Sequence, residues 1–197
     1  MEDEGRRFCR PTANRCVPQG MSFEYSVFRH YLTLIEFSSI IYSSTERENE
    51  MKIYLAGSCG SESRTMMVGI AKLLRGKGYE VYCPFELKIE NAWDYTQEDW
   101  ARLVFERDVM EIESCDLMIS ISPGRVGTAG TNWEQGYAYA KKKKIWVFQY
   151  TEENASLMTY CGSSLFVSCK TETLFSEILY TLNKEPTFKE NARVILT

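Results

Sequence analysis

The sequence has little histidine, no paired-cysteine motif, no excess of one charge and no long apolar run, and each shortage excludes something. A single histidine, His30, stands in 197 residues. No zinc site of the usual ligand spacing can be drawn, and no metal or organic cofactor is implied. The seven cysteines are Cys9, Cys16, Cys59, Cys83, Cys115, Cys161 and Cys169, an odd number without any C-x-x-C. Reduced, mostly buried thiols in a cytoplasmic protein are therefore expected. Cys59 has no histidine after it to activate it as a nucleophile. Lys plus Arg number 23 and Asp plus Glu 27, a net charge of −4. Such a chain has no overall field to attract nucleic acid or an anionic membrane, so neither is expected as a partner. A small anion would have to be held by local geometry. The most apolar stretch, 23–42, is interrupted by Glu24, Arg29, His30 and Glu36, so it does not read as a membrane span. The opening Met-Glu-Asp-Glu does not read as a secretory signal.

What the chain does have is an apolar fraction of 44%, enough for an ordinary core and too much for wholesale disorder. Its length suits about one domain. Residues 1–49 show no clean periodicity and read as an N-terminal extension, accessory or poorly ordered, with an oligomerisation or lid element as the sharper alternative. The pattern changes at Met51. Strands are expected at 52–57, 79–84, 116–122, 145–149 and 164–168. Helices are expected at 64–77, 96–113, 131–143 and 171–183, so the domain runs over 50–185 and leaves 186–197 as a tail. Arg64 to Lys77, for example, places Met67, Ile70, Ala71 and Leu74 on one stripe. Strands alternating with helices give an α/β fold, a parallel sheet of about five strands between helical layers. Ligands of such sheets bind beyond the carboxyl ends of the strands, which singles out the loops after Gly57, Pro84 and Ser122.

The loop from Ser122 into the helix carrying Glu134 is rich in small residues, which let backbone amides approach a ligand. Thr131 and Glu134 fit a Thr-x-x-Glu capping box, in which the carboxylate reaches back to the Thr131 amide. Alternatively, Glu134 points into the site. Asp108 is a second carboxylate on the preceding helix, and it reads either as a solvated charge or as the partner a glycosidic cleavage requires. Asp116, which opens a strand, reads as a structural acid. The loop Gly57-Ser58-Cys59-Gly60-Ser61-Glu62-Ser63-Arg64 suits phosphate through its amides, hydroxyls and Arg64. It lacks both G-x-x-x-x-G-K-[ST] and G-x-G-x-x-G, and Ser61 or Ser63 could simply cap the next helix. Phe85, Trp93, Tyr95 and Trp133 lie near the same rim and could stack a base, or could pack. The run Lys141 to Lys144 reads as a solvated helix end.

These pieces resemble the nucleoside 2-deoxyribosyltransferase family: Lys-Ile-Tyr54-Leu-Ala-Gly57-Ser58 at the first strand, Asp108 seven residues before Cys115-Asp116, and Gly130-Thr131-Asn-Trp-Glu134-Gln-Gly136-Tyr-Ala138. The resemblance covers residues 51–170. It implies a flavodoxin-like three-layer sandwich and a double displacement at C1′ of a nucleoside or nucleotide. Glu134 would be the nucleophile, Asp108 the proton donor to the base, and Tyr54 the residue holding Glu134. Gly57, Ser58, Arg64, Thr128, Gly130 and Ser156 would bind substrate. Several transferases of free nucleosides carry Asp where Thr128 stands, and Asn from a neighbouring subunit at the place of Ser156. The related branch acting on nucleoside 5′-monophosphates is similar to this chain at Ser58, Thr128 and Ser156. A hydroxyl donates to phosphate without repelling it, so hydrolysis of a 5′-monophosphate is favoured. The resemblance also implies a homodimer or higher homo-oligomer with shared sites. The alternatives are a non-catalytic nucleotide-binding or sensing module, or a TIR-like NAD-cleaving domain.

Overall fold

A computed structural model describes residues 51–58, 60–124 and 128–184. The expected extension at 1–49 and tail at 186–197 lie outside the described residues. The order of elements is β1 (Lys52–Gly57), α1 (Ser61–Arg75), β2 (Glu80–Tyr82), two 3-10 turns (Pro84–Glu86 and Ala92–Asp94), α2 (Gln97–Ser114), β3 (Leu117–Ser122), α3 (Ala129–Ala140), β4 (Lys144–Gln149), α4 (Leu157–Gly162), β5 (Leu165–Ser168), a further 3-10 turn (Thr171–Thr173) and α5 (Leu174–Asn183).

The five strands form one sheet in the order β2-β1-β3-β4-β5, every neighbouring pair parallel. This is the flavodoxin-like order, and the chain reverses its direction of travel across the sheet between β1 and β3. Both faces are covered, so the central strands are apolar throughout: β3 reads Leu-Met-Ile-Ser-Ile-Ser and is buried at all six positions. Alternation along β1 assigns the two faces. Ile53 and Leu55 join Met67, Ile70 and Leu74 of α1 and Leu174 and Ile178 of α5. Tyr54 and Ala56 join Ile112 of α2, Ala138 of α3 and Phe166 of β5. Cys83 and Cys115 are buried thiols, one in each core.

Polar groups inside this frame are satisfied. Ser120, fully buried on β3, accepts a 2.6 Å hydrogen bond from Gln135 of α3. Glu111, 5% exposed, pairs with Lys52 at 2.8 Å and with Arg107. Among the described residues no buried side-chain nitrogen or oxygen lacks a partner, which avoids a penalty of about 1–3 kcal/mol for each. Asp116 is the structural acid expected: its carboxylate accepts from the Lys52 amide at 2.8 Å, while its own amide donates to the Lys52 carbonyl. The lysine run is more engaged than a solvated helix end. Lys141 pairs with Glu113 at 2.7 Å, and Lys143 donates to the carbonyls of Glu113 and Cys115.

Two helix starts differ from expectation. Helix α3 begins at Ala129, and Thr128, not Thr131, takes the cap: its hydroxyl accepts from the Thr131 amide. Thr131 therefore sits one turn inside the helix with its hydroxyl 2.8 Å from that of Thr128. Helix α1 starts at Ser61, so the cap position falls on Gly60, which has no side chain to fill it, and not on Ser61 or Ser63. Helix α4 falls in a stretch whose six residues are too few for periodicity to reveal. No helix among the described residues is long and apolar enough to cross a membrane.

Candidate active site

The site lies on the α2–α3 side of the sheet. Parallel pairing sets Tyr54 of β1 opposite Tyr82 of β2, and their rings meet at 5.5 Å with a 32° tilt. Each phenol reaches a carboxylate from a different helix. The Tyr54 hydroxyl donates to Glu134 Oε1 of α3 at 3.1 Å. The Tyr82 hydroxyl donates to Asp108 Oδ1 of α2 at 2.7 Å. Four side chains from four elements thus form one cluster of two phenols and two carboxyls. Because Thr128 caps α3, Glu134 is not drawn back into the expected capping box and its carboxylate turns to Tyr54.

Burial dominates the electrostatics. Loss of water, followed by the negative charge of Asp108, pushes the Glu134 carboxyl up to about 8, against the opposing hydrogen bond from Tyr54. Asp108 is raised as well, chiefly by burial, with the Tyr82 hydrogen bond working the other way. Burial, followed by the charges of Glu134 and Asp108, raises the Tyr54 phenol far above its ordinary range. Burial and then the bond to Asp108 do the same for Tyr82. Both phenols therefore remain protonated donors, and Glu134, held up at about 8 beside the negative charge of Asp108, keeps its proton near neutral pH. One ionised and one protonated carboxyl is the equipment for nucleophilic attack coupled to proton donation.

A sequence model of nucleoside 2-deoxyribosyltransferases matches residues 53–184, which span all four of these side chains. The chain belongs to the nucleoside 2-deoxyribosyltransferase family. Among solved structures, the 2-deoxyribosyltransferase of the psychrotolerant bacterium Bacillus psychrosaccharolyticus is similar, with TM-score 0.56, 25% identity and coverage of 64% of this chain and 89% of that one. A conserved protein of Enterococcus faecalis V583 shares the fold, with TM-score 0.51, 22% identity and coverage of 67% and 99%. The CMP N-glycosidase BcmB of Clostridium botulinum is a more distant neighbour, with TM-score 0.47, 22% identity and coverage of 66% and 98%. No curated protein sequence matches.

Of the residues that the family resemblance singles out, the fold brings Tyr54, Asp108 and Glu134 into one group. The rest stand outside this hydrogen-bonded group. Ser58 is half-buried at the end of β1, its hydroxyl accepting from the Gly60 amide at 3.3 Å. Arg64 is exposed in the first turns of α1. Thr128 is engaged as the cap of α3, and Ser156 is half-buried just before α4 with no capping bond from its side chain. Gly57 sits tight against the core: a Cβ there would meet Met67 Sδ and Cε at 2.5 Å, so the buried end of that methionine would have to shift. A Cβ on Gly130 would meet nothing. Gly124, in the loop after β3, has φ +103° and lies against Glu153 and Thr151, so this turn is built for glycine.

The aromatic candidates separate. Phe85 packs against the core on the α1–α5 side. Trp93 is exposed in the second 3-10 turn, and Tyr95 is exposed just after it. Trp133 stacks on Tyr137 at 5.2 Å and meets Phe105 of α2 at 5.0 Å. Sequence reasoning missed Tyr82. The signal for it was its register opposite Tyr54, which follows only once β1 and β2 are aligned.

Proposed function

We propose that the chain cleaves the N-glycosidic bond of a (deoxy)nucleoside or its 5′-monophosphate through a covalent glycosyl-Glu134 intermediate. The observation that carries this reading is the Tyr54–Glu134 hydrogen bond beside the half-buried carboxyl of Asp108. At rest Glu134, raised to about 8, holds the proton, and the Tyr54 bond, which favours its ionised form, lowers the cost of passing that proton to Asp108 before attack. Glu134 attacks C1′. The electron pair of the C1′–N bond goes to the base as Asp108 donates its proton there. Asp108, now ionised, then takes a proton from water, or from a second base, as that acceptor attacks C1′ and releases Glu134. Ser58, Thr128 and Ser156, with Arg64, supply hydroxyls and a cation rather than carboxylates toward the 5′ end, which favours a monophosphate and hydrolysis. Ser156 would come from a neighbouring copy in a homodimer or larger oligomer. Gly57 and Gly130 would admit the substrate close to the backbone, and Phe85, Trp93 and Trp133 are the candidates for contact with the base.

The test is base release from each deoxynucleoside and each 5′-monophosphate, with and without a second free base, using Glu134→Ala as control. Release without an acceptor, stronger for monophosphates and lost in the variant, is expected. Exchange only in the presence of an acceptor would overturn the hydrolase preference. No release from any substrate would overturn the enzyme reading.

A further inference from the structure

The general acid has its own support, distinct from that of the nucleophile. Asp108 is met from every side by groups that could control it: Tyr82 from β2, Tyr54 from β1, Glu134 from α3, and Arg107 and Glu111 from its own helix. Among the described residues, Tyr82 alone donates a hydrogen bond to its carboxyl, at Oδ1 and 2.7 Å. Tyr82 is itself fixed. Arg107 lies 5.7 Å over its ring, and Tyr54 packs against it on the sheet side. Arg107 is held in turn by Glu111, which Lys52 anchors at the start of β1.

Resting on the glycosidase reading, we infer that Tyr82 is a positioning residue for the acid: its hydroxyl occupies Oδ1 of Asp108, so that Oδ2 carries the proton delivered to the departing base. A phenol remains a donor throughout the cycle, so the same bond steadies the Asp108 carboxylate once the proton has left. A purely structural Tyr82 would fill space beside Tyr54 and Arg107 and have no preference among leaving groups.

Leaving-group dependence separates the two roles. Tyr82→Phe keeps the ring and removes the hydroxyl. Two pairs of probes serve, one for each base class: deoxyguanosine 5′-monophosphate with its N7-methyl derivative, and deoxyuridine 5′-monophosphate with its 5-fluoro derivative. The N7-methylated base departs neutral and needs no proton, and the fluorinated base needs less help than its parent. On the unmodified probe, kcat of the variant is expected to fall roughly ten- to a hundred-fold with little change in KM, the scale of losing a hydrogen bond to a charged group. On the activated probe the fall is expected to shrink to about two-fold or less. Equal losses on both members of a pair overturn the inference.

A second readout does not depend on turnover. In carboxyl 13C titrations the variant should leave Asp108 with a larger share of the proton held with Glu134, because the bond that favoured its ionised form is gone. An unchanged Asp108 signal overturns the contact. Replacing Tyr82 with 3-fluorotyrosine retains ring and hydroxyl and should restore both rate and titration. If the unsubstituted chain releases no base from any of the four probes, the glycosidase reading and the acid role fall together, whereas turnover with no leaving-group effect removes Tyr82 alone.

Discussion

Replacing Glu134 by Gln should make the protein more stable, and the gain should depend on pH. The substitution keeps the side-chain volume and an oxygen that can accept from Tyr54, and it removes the charge. In the folded chain burial holds the carboxyl at about 8 against an ordinary 4.5. The folded state therefore keeps a proton that the unfolded state releases over this interval. Stability associated with Glu134 is fully present below about 4.5 and is lost as pH rises toward about 8. Three and a half pH units at about 1.36 kcal/mol each set a ceiling of about 5 kcal/mol. Water reaches the half-buried side chain and the proton can pass to Asp108, so on the order of 2–3 kcal/mol is expected. Urea melts of the two proteins at pH 4.5, 6, 7.5 and 9 would read it. Their midpoints should coincide at the acid end and separate in favour of Glu134→Gln as pH rises. A difference independent of pH, or one that shrinks with pH, would refute the electrostatic account of the site.

Three further outcomes are expected. Tyr54→Phe should lower base release roughly ten- to a hundred-fold while leaving the circular dichroism spectrum intact, since Glu134 loses its donor but the β1 core keeps its ring. An unaltered rate would show that Tyr54 does not hold the nucleophile. Gly57→Ala should destabilise the fold by about 1–3 kcal/mol in a denaturant melt, because the new methyl meets the fully packed Met67. Asp116→Ala should cost about 1–2 kcal/mol by removing the carboxylate that accepts the Lys52 amide. Its activity per folded molecule should remain that of the unsubstituted chain, measured under conditions where both are folded.

The layered sheet was legible because its strands announce themselves. Lys52–Gly57 was bounded correctly to the residue, and Leu117–Ser122 to within one, since each is an apolar run closed by a turn signal. Helix starts were less legible. The Thr-x-x-Glu spacing at Thr131 imitates a cap, whereas Thr128, three residues earlier, does the capping; both are threonines ahead of an apolar helix, and only the loop geometry separates them. Asp108 and Glu134 were singled out as candidate carboxylates from their place on the helices, and the family resemblance gave them roles. Their 26-residue separation says nothing by itself about proximity, and the facing of α2 and α3 across the end of β1 settles it. Tyr82 escaped because a tyrosine in a three-residue strand carries no local mark of function. Trp133, adjacent to Glu134 in sequence, turns to Tyr137 and Phe105 because neighbours along a helix point some 100° apart.

The cluster of two phenols and two carboxyls also bears on how the molecule folds. Its members come from β1, β2, α2 and α3, and the Tyr54–Glu134 bond closes a separation of 80 residues. No fragment ending before α3 contains Glu134, and no intermediate with its helices formed but the β1–β3 pairing absent can align it with Tyr54. Such high-contact-order assembly is slow compared with helix formation. Recovered activity during refolding should consequently trail the far-ultraviolet helical signal and track the last cooperative phase. A nascent or partly unfolded chain would then lack the assembled cluster, which only completion of the fold provides.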